Sequence, residues 1–509
     1  MSNPIRLSNL RLAINYEAGH MKLSNATVAS LPNTLPVPSY DRSKLSPKIV
    51  HFGVGHFHRA HLAKYLDQLL NSGANSDWAI WGVGIGALSS AVSEALVPQD
   101  CLYTLTEKFA DGTATTSVVG SIIGIDHATS NSEPVVARLA DAETKIISLT
   151  ITEGGYGLDS VTGKFSGAGD KLIEADLADP ASSQSWLGIL IQALRQRRDT
   201  GAGKVTLMSC DNIPHNGEVA RSAVVGFASK VAPDLLPWIA ENMTFPNSMV
   251  DRVTPGTKDE DRDYIKNTYG LEDAWPVACE PYTLWILEDN FANGRPDFEK
   301  VGVTLVKDVL PYELMKLRLA NGTHQALCFF GHLLGHTYVH EAIHDPDIND
   351  LLIRYIDEEA VPTLAPVPGF NLKEWGRIVI DRFGNPQIQD QLVRICAETS
   401  DRIPKFVLPV VIDQIKMGGS TPICAAVIAS WSRYAQGSDE NGAAISVIDP
   451  KRAEVMAAAN AELNSPGAFL KVTSIFGGLA ENKVFMGQYL AALEILRSSG
   501  ARVLLRSLK

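Results

Sequence analysis

Residues 48–61 read K-I-V-H-F-G-V-G-H-F-H-R-A-H, and few folds accommodate such a passage. The run Ile49–Val54 is apolar and β-prone, which predicts a strand buried on both faces, as in a parallel sheet. Gly53 and Gly55 close that run, and a helical pattern continues through Leu62, Tyr65, Leu66 and Leu69. Strand, glycine turn and helix in that order bring unpaired helix N–H groups to a strand's carboxyl end, the arrangement that holds a dinucleotide pyrophosphate. His58 stands where G-x-G-x-x-G has its third glycine, so the fingerprint is incomplete. His58 and Arg59 are expected to compensate with charge near the phosphates.

The same alternation runs on to about residue 210. Trp78–Val83, Tyr103–Glu107, Ile146–Ile151 and Val205–Met208 read as strands, and helical stretches such as 184–198 separate some of them. Such alternation predicts an α/β sheet wound by crossovers. Beyond about 305, helical runs dominate, over 312–338, 349–357, 387–398, 405–416, 421–435 and 451–463. The expected architecture is therefore a Rossmann-like N-terminal domain over 46–304 and a mostly α-helical C-terminal domain over 305–509. A polar lead-in over 1–45, punctuated by Pro32, Pro36 and Pro38, reads as a loose arm. A chain of 509 residues is suited to more than one core, and the cleft between domains is the natural ligand site.

Chemistry is concentrated in P-Y-E-L-M-K-L-R-L-A-N-G-T-H at 311–324, where Lys316, Asn321 and His324 stand at i, i+5 and i+8. On an α-helix they lie at about 0°, 140° and 80° around the axis. An amine that can take a proton, a carboxamide that can hold an alkoxide and an imidazole that can orient a hydroxyl share one side. With a hydride acceptor nearby, these are the parts needed to oxidise an alcohol.

The net charge of −12 argues against a sequence-independent nucleic-acid binder, which needs a basic face. No apolar run reaches the roughly 18–20 residues of a membrane span, and the N-terminus lacks a basic-then-apolar leader. A soluble cytoplasmic protein without nucleic-acid or membrane partners is expected. Six scattered cysteines, none in C-x-x-C, read as reduced and buried thiols. The oligomeric state is left open.

Several runs together resemble the polyol-specific long-chain dehydrogenases, the mannitol dehydrogenase family. They are G-V-G-H-F-H-R-A-H and M-K-L-R-L-A-N-G-T-H, with S-L-T-I-T-E-G-G-Y (148–156), M-S-C-D-N-I-P-H-N-G (208–217) and F-P-N-S-M-V-D-R-V-T-P (245–255). W-P-V-A-C-E-P (275–281) and N-G-R-P-D-F-E-K-V-G (293–302) follow in the same order. The resemblance runs from about Met21 to the C-terminus. T-E-G-G-Y and L-A-P-V-P-G (364–369) look most like the mannitol-oxidising members. The resemblance implies an NAD-dependent, metal-independent enzyme interconverting a polyol and a ketose, D-mannitol and D-fructose foremost. D-arabinitol, D-sorbitol or a hexuronate is the alternative substrate. It implies Lys316 as general base, Asn212 and Asn321 as alkoxide donors, His324 as substrate contact and Glu313 as proton relay. It further implies Asp251, Arg394 and Arg402 at the substrate, and Gly53, Gly55, Phe57, His58, Arg59, Thr152 and Glu153 at the cofactor.

Two departures stand out. Arg402 replaces a lysine common in the family, trading a point donor for a planar fork. The second strand is followed by Ile85 to Ser90 without the acid that usually contacts the ribose 2′-hydroxyl, and no base replaces it. NAD is still expected, with weaker discrimination against NADP. One rival remains: His340, Glu341 and His344 fit H-E-x-x-H, a zinc-hydrolase pattern, although Pro346 soon ends the helix.

Overall fold

A computed structural model describes residues 20–85, 87–128, 131–159 and 162–509. Six parallel strands form the central sheet, in the spatial order Ile122–His127, Trp78–Gly84, Ser46–Phe52, Ile146–Leu149, Val205–Ser209 and Met243–Thr244. Numbered along the chain this is 3-2-1-4-5-6, the doubly wound order, with its switch point between Ser46–Phe52 and Ile146–Leu149. Ile49, Val50 and Phe52 are buried, as are Ile146, Ile147 and Leu149, so neither central strand has a wet face. That is why these strands read as unbroken apolar runs rather than alternating ones.

Two smaller mixed sheets flank the main one. Tyr103–Lys108 pairs with Ala114–Val119 and Val277–Cys279, and Leu284–Glu288 lies between Ser248–Asp251 and Thr304–Val306. After Thr304–Val306 the described chain is helical, from Leu310–Lys316 to Ala501–Ser507. Met249 and Ile286 of the second small sheet enter the core of the helical part, beside Met315, Phe329 and Trp431. The strand that ends in Asp251 is thereby fastened to the helices that carry Lys316 and His324.

Three expectations need correction. The lead-in is not loose over its described part. Met21–Lys22 pairs with Leu271–Glu272, and Leu23, Leu31 and Leu35 pack with Leu102, Val118 and Ile265. Burying these leucines holds the proline-rich stretch down; residues 1–19 lie outside the described residues. Helix 387–398 shrinks to Leu392–Cys396, because Gln389 takes a left-handed φ of 50° that breaks any helix there. The single helix expected over 312–338 is three segments, Leu310–Lys316, a π-turn at Leu317–Asn321 and Gly322–Leu333. No helix of the described residues is long and apolar enough to cross a membrane. All six cysteines are free and buried.

Candidate active site

The strand Ser46–Phe52 ends in a turn that only glycine permits. Gly53 has φ +93°, and a Cβ there would sit 2.1 Å from the Thr150 carbonyl oxygen of the neighbouring strand end. Gly55 differs, since a Cβ on it would meet only the Gly53 carbonyl, at 3.9 Å. The first glycine therefore serves the fold, and the second leaves open a backbone cradle leading into the helix His56–Ala60. This cradle, at the switch point of a doubly wound sheet, fits a dinucleotide pyrophosphate.

The charge expected from His58 and Arg59 is not presented there. His58 is buried and stacks on His51 at 3.4 Å, and burial, with His51 and Arg59 beside it, holds its imidazole well below its usual range and neutral. Arg59 is buried too, its guanidinium donating to the Trp275 carbonyl beside the Tyr103 ring. Phe57 stacks on His61 at 4.9 Å. The turn after Trp78–Gly84, where the acid is missing, includes Gly86, which lies outside the described residues.

Across the switch point, Asp211 organises two loops. Its carboxylate accepts from the backbone N–H groups of Ile151 and Thr152, at 3.1 and 2.8 Å, and from the Tyr156 hydroxyl at 2.6 Å. These bonds hold Thr152 at φ +65° and ψ 165°, a conformation a non-glycine residue adopts only under constraint. Glu153 reaches across to Lys405 of the helical part, at 2.6 Å. Asp211 also fixes the start of the loop that carries Asn212.

Asn212 and Lys316 meet directly, the ammonium donating to the Asn212 side-chain oxygen. Glu313, one turn earlier on the same helix, accepts from the His215 backbone N–H at 2.7 Å. Loop 211–216 is thus fastened to the helix Leu310–Lys316 at two points. Burial pushes the Lys316 amine below its usual range. Arg382 pushes the same way, while Asp251 and Glu313 oppose both. Burial also raises the Glu313 carboxyl.

Arg382 was not singled out from the sequence, because D-R-F at 381–383 belongs to none of the recognised runs. It donates to Asp251 at 2.7 Å and to both oxygens of Glu280, at 3.0 and 2.8 Å, with its guanidinium 3.8 Å over the Tyr282 ring. Asp251 would be raised by burial, but Arg382 and Lys316 outweigh that and hold it below its ordinary value. His324 stacks on Phe383 at 3.6 Å, with the planes 8° apart. Burial and the cations Arg394, Arg382, Arg402 and Lys316 keep its imidazole neutral. Asn321 makes no side-chain hydrogen bond among the described residues, which leaves both its donors available.

Arg394 and Arg402 approach His324, but their guanidinium groups are engaged elsewhere. Arg394, with its side chain 58% exposed, forks onto Asp390 at 2.7 and 2.5 Å. Arg402 donates to the carbonyls of Arg394 and Ile395 and to Glu398. The H-E-x-x-H residues do not converge. Glu341 caps its own helix by accepting from the N–H groups of Thr337 and Tyr338, and His344 Nδ1 lies 2.6 Å from the His340 carbonyl. No group of three or more His, Cys, Asp or Glu among the described residues is placed to hold a metal ion.

Residues 47–300 match the model of the mannitol dehydrogenase Rossmann domain, and residues 308–497 that of the mannitol dehydrogenase C-terminal domain. The chain is 39% identical to a mannitol 2-dehydrogenase of Aspergillus terreus, covering 98% of each chain. It is 41% identical to one of Neosartorya fischeri, covering 91% of this chain and 93% of the other. Among solved structures it superposes on Pseudomonas fluorescens mannitol 2-dehydrogenase, in a ternary complex with NAD and D-mannitol. That match has a TM-score of 0.86 and 40% identity, covering 96% of this chain and 99% of the other. A substrate-free D-sorbitol dehydrogenase matches with a TM-score of 0.88 and 36% identity, over 95% and 100% of the two chains. Two domain models that together span most of the sequence, and relatives this similar along their whole length, place the chain in the mannitol dehydrogenase family.

Proposed function

We propose that this chain is an NAD-dependent polyol dehydrogenase that interconverts D-mannitol and D-fructose, with Lys316 as the general base. The observation that carries this reading is the buried Lys316 amine, held on Asn212 and flanked by Asp251 and Glu313. Likeness to a mannitol 2-dehydrogenase solved with NAD and D-mannitol supports the choice of cofactor and substrate.

The backbone at Gly53–Phe57 and the loop at Thr152–Glu153 would hold NAD, which supplies the hydride acceptor when bound. Lys316 takes the hydroxyl proton. An amine at its ordinary pKa of about 10.4 is too basic to be free at neutral pH, and burial beside Arg382 shifts it toward the free base. Asn212 accepts from the ammonium through its oxygen, which leaves its NH2 group to donate to the alkoxide oxygen as charge develops. Asn321 supplies the second donor. His324, neutral and fixed by its stack on Phe383, orients the hydroxyl. Glu313, with a raised pKa and its carboxylate beside partly exposed His215, passes the proton outward. Asp251 keeps one oxygen free of Arg382 for a further substrate hydroxyl, and Arg394 and Arg402 add positive charge beside His324.

The test is oxidation of NADH with D-fructose in the presence of a chelator. Sustained turnover is the expected result. Silence with D-fructose, but turnover with another ketose or a hexuronate, would move the substrate assignment and keep the chemistry. Activity abolished by the chelator would overturn the metal-free mechanism.

A further inference from the structure

Lys316 and Asn321 are five residues apart, a spacing that a regular α-helix places about 140° apart around its axis. The chain solves this with the π-turn Leu317–Asn321, in which the Gly322 N–H bonds to the Leu317 carbonyl, five residues back. Five-residue bonding stacks i over i+5 and so brings the carboxamide to the amine's side. A π-turn is less favourable than the α-helix it interrupts, because carbonyls lose their usual i+4 donors.

Two hydroxyl groups bond to carbonyls of this turn. Thr323 Oγ1 donates to the Leu319 carbonyl at 2.5 Å. The Tyr355 hydroxyl, buried and contributed by another helix, donates to the Arg318 carbonyl at 3.0 Å. A Cβ on Gly322 would lie 2.2 Å from the Tyr355 oxygen. Gly322 has an ordinary helical φ of −62°, so its place in L-A-N-G-T-H is explained by the approach of this hydroxyl and not by backbone conformation. The Arg318 side chain also ties the turn to the Thr363 carbonyl at 2.9 Å and to Asp413 at 2.8 Å.

We propose that Tyr355 is a positioning residue for alcohol oxidation: its hydroxyl, seated against Gly322 and bonded to the Arg318 carbonyl, holds the π-turn that sets Asn321 beside Lys316. The proposal rests on Asn321 being an alkoxide donor, as argued above. Tyr355→Phe removes one oxygen and keeps the packed ring. Without that oxygen the turn relaxes toward regular helix and Asn321 rotates away from the amine. Tyr355 then acts only through Asn321, and its loss reads in kcat rather than in cofactor binding.

The experiment is a double-mutant cycle on kcat for polyol oxidation, using Tyr355→Phe, Asn321→Ala and the pair, with NADH binding followed by fluorescence. Tyr355→Phe is expected to lower kcat about tenfold or more, with the Kd for NADH unchanged. Asn321→Ala is expected to cost much less in the Phe background than in the native chain, because both changes remove the same donor. Costs that multiply, or a Tyr355→Phe enzyme within about twofold of the native kcat, would overturn the proposal. An Asn321→Ala single variant with native kcat would instead overturn the role of Asn321 on which it rests. Gly322→Ala gives a second readout: it should harm kcat in the native chain and less so beside Tyr355→Phe, where the clashing oxygen is gone. Equal harm in both backgrounds would also count against the proposal.

Discussion

Lys316 and Asn212, 104 residues apart in the chain, meet through a hydrogen bond from the ammonium to the carboxamide oxygen. One group comes from the first helix after the sheets and the other from the loop after Val205–Ser209, so the contact joins the two halves of the protein at the proposed reacting centre. Replacing Lys316 with Ala should lower kcat by roughly 10²–10⁴, the usual worth of a positioned base. NADH binding should persist, because the polar neighbours of Lys316 are Asn212, Asp251, Glu313 and Arg382 and not the glycine cradle. Turnover near the native rate, measured with saturating substrate, would remove Lys316 from the mechanism.

If Lys316 is the base, Asp251 moderates the pH at which it works, opposing the larger effect of burial. Its carboxylate favours the Lys316 ammonium, so Asp251→Asn should lower the lysine pKa further. Oxidation needs the free amine and gains activity as pH rises through that pKa. Its kcat/KM profile should therefore shift to lower pH. Ketone reduction needs the ammonium, so its fall with rising pH should begin earlier. A shift toward higher pH would contradict the electrostatic arrangement.

The parallel strands were legible because burial on both faces leaves unbroken apolar runs, and four of the six were placed within three residues at each end. Tyr103–Glu107, expected in the same wound sheet, belongs instead to one of the smaller mixed sheets, and Ile122–His127 and Met243–Thr244 escaped. Lys316, Asn212, Asp251, Glu313 and His324 were found through local runs of sequence, and the structure gathers them. Arg382 escaped because its meaning lies in Asp251 and Glu280, which stand 131 and 102 residues away in the chain. The π-turn escaped for a related reason. Its donor, the Tyr355 hydroxyl, comes from a different helix, so the sequence of 317–321 shows only an ordinary helical stretch. His58 shows the opposite failure: a histidine in a glycine-rich turn suggests phosphate contact, yet it packs beneath the loop on His51.

Cofactor choice gives a direct comparison. The second strand is not followed by an acid that would reject a 2′-phosphate, nor by a base that would welcome one. NADH should remain the better cofactor, with NADPH also used. Efficiency with NADPH equal to or above that with NADH, measured as kcat/KM at fixed D-fructose, would overturn the NAD assignment.

Arg382 should matter to both stability and chemistry. Its side chain is 7% exposed and holds two carboxylates, Glu280 at 2% and Asp251 at 11%. Arg382→Met leaves both acids without their partner, which costs roughly 3–5 kcal/mol when a buried ion pair is broken. Denaturant unfolding should report that loss as a lower midpoint. The same change removes a cation that lowers the Lys316 pKa and frees Asp251, which raises it. Both effects run in one direction, so the oxidation profile should move to higher pH, opposite to the shift expected for Asp251→Asn. If the two variants moved the profile the same way, the charges around Lys316 would not be setting its proton affinity, and the low pKa would have to come from burial alone.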